Sequence, residues 1–269
     1  MPGSYRLQWF TVGSLLALAQ AAQAEHSADE LAKQLANPIA ALISVPFQYN
    51  YDENIGPDDK GSRHTLNIQP VIPMDLNQDW NLISRTILPV IDQTDIAPGS
   101  GNQSGLGDTL QSLFFSPKAP TDSGWIWGAG PVFLLPTATD ELLGGEKWGV
   151  GPTAVALKQT GHWTYGALVN HVEGVAGDHN REDVRSTFLQ PFMAYGLGKG
   201  VTLGLNTEST YDWKAHEGAV PINLQLNKVT QIAGQMVQFG AGVRYWAEST
   251  DTGPEGWALR LNLVLLYPR

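Results

Sequence analysis

The chain has 269 residues, no cysteine and a formal net charge of -10 at pH 7, and only 16% of its residues are charged. This acidic balance argues against nucleic-acid binding, which needs a basic surface, and the lack of cysteine excludes disulfides as a source of stability. We therefore expect one large domain that is held by its own hydrogen bonds and packing.

Residues 1–24 have the features of a secretory signal peptide in the expected order. Arg6 supplies the positive charge, residues 9–19 are apolar, and Ala22-Gln23-Ala24 is a small-x-small cleavage site. The apolar run is too short for a membrane helix, which needs about 20 residues. We expect export and cleavage after Ala24, and the alternative is an N-terminal helix of the core.

Residues 25–41 are expected to form a helical segment ahead of the main domain. Ser27 and Glu30 have the spacing of a capping box, and apolar residues then recur at helical spacing until Pro38. We predict a helix from Ala28 to Ala36. Two positions remain open for it: a plug inside the following domain, or a loosely held tail outside it.

From Leu42 the apolar pattern changes to a period of two, which predicts strands. Residues 42–52 place one row of apolar side chains opposite Ser44, Gln48 and Asn50, the first row being Ile43, Val45, Phe47, Tyr49 and Tyr51. In residues 257–267 an apolar row of Trp, Leu and Tyr side chains is backed by Arg260 and Asn262. Such double rows are typical of transmembrane barrel strands, with lipid outside and a wet lumen inside.

Ten further strands are predicted between these two, near residues 64–74, 80–92, 108–118, 125–136, 149–160, 163–173, 184–195, 201–213, 219–227 and 235–247. Mostly long connections alternate with mostly short ones, as in barrels with long extracellular loops and short periplasmic turns. The longest predicted loop is residues 93–107. No later segment resembles a membrane-spanning helix, so residues 42–269 are predicted to form an all-β, antiparallel, up-and-down transmembrane barrel of about twelve strands.

Several prolines fall inside the predicted strands, where proline cannot donate a hydrogen bond to its neighbour. We expect bulges, or strands that end early, at these positions: Pro46, Pro70, Pro73, Pro89, Pro131, Pro152, Pro191 and Pro221.

A series of short motifs, in this order, resembles the MetA-pathway of phenol degradation family: Leu42-Ile-Ser-Val-Pro-Phe-Gln48, Gln69-Pro-Val-Ile-Pro73, Trp80-Asn-Leu-Ile-Ser-Arg85, Gly105-Leu-Gly-Asp108, Phe114-Phe-Ser-Pro117, Trp127-Gly-Ala-Gly-Pro131, Pro136-Thr-Ala-Thr139, Lys147-Trp-Gly-Val-Gly-Pro-Thr153 and Phe188-Leu-Gln-Pro-Phe192. The resemblance runs from about Leu31 to the end of the chain. It implies an outer-membrane β-barrel transporter, and the family name implies passage of aromatic or other apolar small molecules. It assigns no substrate-contacting residue.

Charged residues with lumen-facing parity are the candidate functional residues: Arg85, Glu208, Asp212, Arg244 and Arg260. In a wet, narrow barrel such charges set ion selectivity or hold a ligand. The alternative is a structural ion-pair network that fills the lumen.

Two weaker patterns each have a functional and a plain structural interpretation. His171 could pair with a serine such as Ser209 in a hydrolase, but the sequence has no Gly-x-Ser-x-Gly motif, and an interfacial histidine is the simpler interpretation. The acidic stretches in residues 140–146 and 178–183 could bind divalent cations that bridge to lipopolysaccharide, or they could be solvated loops.

We expect a passive outer-membrane channel or transporter for small, aromatic or apolar molecules in a Gram-negative bacterium, without enzymatic activity, metal or cofactor. A non-conducting structural or surface-interaction barrel is the alternative, and a soluble periplasmic barrel that binds a lipophile is a third reading. The expected partners are outer-membrane lipid and lipopolysaccharide, a small-molecule solute and the barrel-assembly machinery, and no nucleic acid.

Overall fold

A computed structural model describes residues 28–267, in which one short helix, α1 (residues 28–35), precedes fifteen strands. The helix confirms the sequence prediction to within one residue at its end, while Ser27 and the predicted signal peptide at residues 1–24 lie outside the described residues. In this part of the chain no helix is both long enough and apolar enough to cross a membrane.

All strands belong to one antiparallel sheet, and their bounds are β1 (Ile43–Ile55), β2 (Gly61–Ile68), β3 (Val71–Asp75), β4 (Trp80–Thr94), β5 (Asn102–Leu106), β6 (Thr109–Pro117), β7 (Trp125–Leu135), β8 (Lys147–Thr160), β9 (Trp163–Gly177), β10 (Arg185–Gly198), β11 (Val201–Thr207), β12 (Ser209–Asp212), β13 (Glu217–Ile232), β14 (Gln235–Glu248) and β15 (Gly256–Tyr267).

Twelve spans make up the barrel, because β2 with β3, β5 with β6, and β11 with β12 are interrupted halves of single spans. The sheet closes on itself where β15 pairs with β1 from Ile43↔Tyr267 to Tyr51↔Leu259. The predicted closed antiparallel barrel of twelve strands is confirmed.

Proline accounts for the three interruptions, since it has no N–H for the ladder. Pro70 lies between β2 and β3. Pro89 faces the break between β5 and β6, where its carbonyl accepts a hydrogen bond from Gly107 N. Pro191 faces the break between β11 and β12. On β10, Phe192 pairs with Asn206 of β11 and Leu189 pairs with Ser209 of β12, and Pro191 lies between these two pairs. The break leaves Glu208 between two strands.

The alternation predicted for the first and last strands is confirmed. On β1 the buried side chains include Ser44, Asn50 and Asp52, and these face the interior. On β15 the exposed outer row includes Leu259 and Leu261, while the interior row includes Arg260, Val264 and Leu266.

Aromatic rings pair on the outer surface near both ends of the barrel. Tyr245–Trp257 and Tyr211–Trp213 lie at one end, with centroids 5.0 and 4.8 Å apart, and Trp80–Trp127 and Trp163–Tyr195 lie at the other, with centroids 5.8 and 4.7 Å apart. Two aromatic girdles around an apolar band are the exterior of a transmembrane barrel.

The longest connection is not the one that the sequence predicted. Residues 93–107 were expected to be a loop, but β4 continues to Thr94 and pairs with β5, which leaves only residues 95–101 as the connection. The Gln93 side chain, 1% exposed, donates to the Gln103 side chain and to the Leu142 carbonyl. These bonds extend the hairpin where composition alone suggested an irregular segment. The longest connection is instead residues 136–146, between β7 and β8.

The apolar core lies inside the barrel, at the end that holds the N-terminal segment. Ala28, Leu31 and Ala32 of α1 pack with three buried side chains of the wall, Val229, Val264 and Leu266. Further along, Ile39 packs into a second cluster formed by Val71, Ile83, Phe114, Val155, Leu157 and Leu168.

Candidate functional site: the charged interior of the barrel

Two buried arginines share one carboxylate in the middle of the lumen. Arg260 on β15 donates Nη1 to Glu208 Oε1 at 2.8 Å and Nη2 to Glu208 Oε2 at 2.6 Å, which is a bidentate pair. Arg244 on β14 donates Nη2 to Glu208 Oε2 at 2.9 Å. Arg260 and Arg244 are 1% and 7% exposed, so the ion pairs are largely shielded from solvent and depend on each other.

Further polar side chains contact the two arginines. Asp52 on β1 lies 3.4 Å from Arg244 Nη1 and accepts a hydrogen bond from Trp246 Nε1 at 2.9 Å. The two guanidinium Nε atoms donate to side-chain oxygens of Asn50 and Asn223 at 2.8 and 2.9 Å. Since most of the buried donors have acceptors, the cluster holds its geometry.

Two other arginines face the lumen without an ion pair among residues 28–267. Arg63 Nε donates to Gln93 Oε1 at 2.8 Å. Arg85 Nη2 donates to Gln69 Oε1 at 3.3 Å. In this part of the lumen four arginines therefore face the two carboxylates of Asp52 and Glu208, which is an excess of two positive charges.

The structure brings Arg85, Glu208, Arg244 and Arg260 to the same part of the interior, but it places Asp212 elsewhere. Asp212 ends β12, and its carboxylate accepts hydrogen bonds from the backbone N–H groups of Lys214 and Ala215 at 2.7 and 3.2 Å. It fixes the turn at the rim of the barrel and takes no part in the arginine cluster.

Sequence reasoning missed several members of the site. Asp52 shares the parity of Gln48 and Asn50 on β1, which the sequence assigns to the lumen, so the alternation alone could have found it. Arg63 and Asn223 have no such signal, because they become neighbours of the site only through the pairing of separate strands.

Free space remains between the N-terminal segment and the charged wall. A cavity of about 230 Å³ is lined by residues of α1 and the following segment together with wall residues, among them Gln69, Arg85, Phe192 and Asn206. A second cavity of about 410 Å³ lies on another side of α1, near Asp29, Lys33 and His162.

Polar contacts fix α1 in this place. Asp29 Oδ1 accepts a hydrogen bond from Gly200 N at 2.5 Å, in the turn between β10 and β11. The Lys33 carbonyl accepts one from Gln159 Nε2 at 2.8 Å, near the end of β8. The helix is thus bonded to two separate points of the wall.

His171 lies on the outer face, as its parity predicted, but its partner is not Ser209. Its Nδ1 lies 2.8 Å from Thr187 Oγ1, and its Nε2 lies 3.6 Å from Glu173 Oε2. Trp213 Nε1 also donates to Thr187 Oγ1. Ser209 instead bonds Thr207. The His–Ser pair considered as an alternative does not form, because β10 separates β9 from β12.

The acidic loop at residues 178–184 is bonded to its neighbours by basic side chains. Arg181 Nη2 donates to the carbonyls of Glu141 and Gly144, both at 2.6 Å. Lys147 Nζ donates to Asp183 Oδ1 at 3.1 Å, and this bond, with the charges of Lys147 and Lys214, holds the pKa of the Asp183 carboxyl below its usual value. Over the described range no group of three or more acidic, His or Cys side chains is placed to hold a metal ion.

These features define a transmembrane β-barrel of the outer-membrane type with a partly filled, charged lumen. A similar solved structure is the COG4313 outer membrane channel from Pseudomonas putida F1, with a TM-score of 0.66 at 18% identity over 86% of this chain and 96% of that chain. Outer membrane phospholipase A from Escherichia coli gives a TM-score of 0.47 at 13% identity over 83% of this chain and 96% of that chain. Both likenesses concern the fold alone.

No protein-family model and no curated protein matches the sequence. The resemblance to the MetA-pathway family therefore stays a prediction.

Proposed function

We propose that the protein is a passive outer-membrane channel or transporter for small molecules, including aromatic or apolar ones. The observation that carries the proposal is a closed barrel whose interior combines charged side chains with free space. Charged side chains inside a barrel face water, and a wet lumen is what a diffusing solute requires. The apolar outer band between two aromatic girdles supports a location in the outer membrane, in contact with lipid and lipopolysaccharide.

The two interior cavities support a route past the helix. They have volumes of about 230 and 410 Å³, and both are lined by Ala32, Ala36, Ala194 and Thr202. Because the same small side chains line both cavities, a small movement of α1 would join the two cavities. The route would run between the helix and the wall formed by β10 and β11.

We expect the full-length protein to form channels of low conductance in planar bilayers, because α1 and the arginine cluster occupy much of the cross-section. Liposomes that contain it should take up small solutes faster than protein-free liposomes. Single-channel recording and a liposome uptake assay with aromatic and aliphatic solutes measure this. If neither conductance nor uptake exceeds that of the empty bilayer, the channel proposal fails.

We further propose that α1 acts as a plug, since it packs against three buried wall residues, Val229, Val264 and Leu266. Deleting residues 25–36 should raise the single-channel conductance, because it opens the end of the lumen that the helix occupies. The control is Asp29→Ala, which removes only one bond to the wall and should raise the conductance less. Equal conductance of the deletion and the wild type would show that the helix does not limit the path.

A non-conducting structural barrel is the second candidate, and the arginine cluster favours it. Ion pairs of Arg244 and Arg260 with Glu208 and Asp52 join four spans of the wall, and a purely structural barrel would use such pairs to fill its interior. The two candidates differ in one readout: only a channel loses or changes ion selectivity when Arg85 is neutralised.

A further inference from the structure

Arg85 and Arg63 are the two lumen arginines without an ion pair among residues 28–267, and Arg85 is the one that lines a cavity. Arg244 and Arg260 each pair with a carboxylate. Arg85 donates to an amide oxygen, that of Gln69 at 3.3 Å, and it forms no ion pair within residues 28–267. It lines the cavity of about 230 Å³. A guanidinium inside a protein is stabilised chiefly by an anion, so an accessible one beside free space is a place for an anionic group.

The charge of the lumen wall beyond the cavity favours the same kind of ligand. Arg63, Arg85, Arg244 and Arg260 outnumber the carboxylates of Asp52 and Glu208 by two. Lumen walls of low dielectric focus such an excess, which raises the local concentration of anions and lowers that of cations. Glu208 attracts Arg85 through space, but the oxygens of Glu208 and Asp52 accept their arginine hydrogen bonds from Arg244 and Arg260.

The rest of the cavity wall combines apolar side chains with uncharged polar ones. Leu42, Val71, Phe192 and Val264 line the same space as Arg85. Val71 belongs to the second apolar cluster, against which Phe192 packs. Arg85 is the one charged residue among the described residues that line the cavity. A cationic group with apolar surface beside it matches a ligand that has an anionic head and an apolar body, because each part then exchanges water for a suitable partner.

We propose that this cavity binds a small organic anion of the monocarboxylate class. The carboxylate accepts hydrogen bonds from Arg85, and the apolar body contacts Val71 and Phe192. The volume of about 230 Å³ is below the roughly 300–1,000 Å³ of pockets for drug-sized ligands, which favours a body of about one ring. This inference rests on the proposed function and deepens it, because it names the class of solute that the lumen selects.

The test is equilibrium binding of benzoate to the full-length protein in detergent micelles, measured by titration calorimetry with empty micelles as the blank. Benzyl alcohol has the same ring without the charge, and acetate has the charge without the ring. We expect benzoate to bind more tightly than either. Arg85→Gln should weaken benzoate binding about tenfold or more, since it removes a charge-assisted hydrogen bond.

Two further variants assign the effect to one residue. Arg63→Gln removes the same charge from the lumen but not from the lining of this cavity, and it should weaken binding less than Arg85→Gln. Arg185→Gln removes a charge on the outer face, next to Glu173, and should leave binding unchanged. Heat-modifiable gel mobility checks that each variant is folded.

Three results would overturn the proposal: benzyl alcohol binds as tightly as benzoate, Arg85→Gln binds like the wild type, or Arg63→Gln loses as much affinity as Arg85→Gln. If Arg85→Gln does not fold, the comparison of benzoate with benzyl alcohol on the wild type decides alone. Binding in micelles does not depend on transport. Arg85-dependent binding without conductance would therefore refute the channel proposal and support the anion site. Conductance without binding would support the channel proposal and refute the anion site.

Discussion

Replacing Glu208 with glutamine is expected to destabilise the barrel by about 3–5 kcal/mol, because it leaves two buried guanidinium groups without their shared carboxylate. Glu208 accepts three hydrogen bonds of 2.6–2.9 Å from Arg260 and Arg244. The amide keeps one acceptor oxygen but carries no charge, and it places N–H groups where acceptors are needed. A urea titration of the refolded protein, followed by tryptophan fluorescence, gives the free energy of unfolding.

The control for this experiment is Asp212→Asn, at the end of the same interrupted span. Asp212 accepts backbone hydrogen bonds in a turn at the rim, and asparagine retains an acceptor oxygen for them. We expect a loss of about 1 kcal/mol or less. If Glu208→Gln and Asp212→Asn prove equally mild, water in the lumen must compensate the arginines, and the cluster is a wet selectivity site instead of a structural core.

Replacing Leu261 with arginine should cost about 2–4 kcal/mol, because the substitution places a cation on the lipid face near the middle of the membrane. Leu261 is 41% exposed and lies in the outer row of β15, beside Tyr49 of β1 and Ala241 of β14. A refolding titration in lipid vesicles measures the cost.

The matched variant is Asn262→Arg, one position along the same strand. The Asn262 side chain lies inside and donates to Gln225 Oε1 at 2.6 Å, so an arginine there loses one hydrogen bond but remains in the polar lumen. It should be tolerated better than Leu261→Arg. Equal costs at both positions would contradict the assignment of the lipid face and the lumen face.

The lumen has two regions with different physical roles. One end is apolar, where Ile39 and α1 pack against buried wall residues, and the middle is polar and charged. The cavity beside Arg85 lies where the two regions meet. If the proposed transport takes place, a solute that passes this point leaves a charged environment for a more apolar one, and a small amphiphilic anion fits this change better than an inorganic ion.

Much of the barrel was predictable from the sequence, because lipid and a wet lumen impose opposite demands on alternate residues of every span. The alternating rows of β1 and β15 predicted correctly which side chains face lipid and which face the lumen, including Arg260 and Asn262 in the lumen. The sequence could predict that strands are interrupted near prolines such as Pro70, Pro89 and Pro191, because proline cannot donate a hydrogen bond to the neighbouring strand.

The same parity argument identified Arg85, Glu208, Arg244 and Arg260 as interior residues, but it could not say which of them meet. Glu208 reaches Arg260 across β13 and β14, a contact that depends on the curvature of the closed sheet. Parity also grouped Asp212 with Glu208, although β12 ends there and the side chain caps a turn at the rim.

The tertiary structure alone decided the partner of His171, the length of the hairpin at residues 93–107 and the position of α1. His171 meets Thr187 because β9 and β10 are adjacent, and the helix lies against Val264 and Leu266 because the lumen offers apolar side chains at that end. The alternation of apolar and polar residues along one strand indicates which side of the sheet faces water. The contacts across the lumen depend on strand order, register and closure, which are set by the whole chain at once.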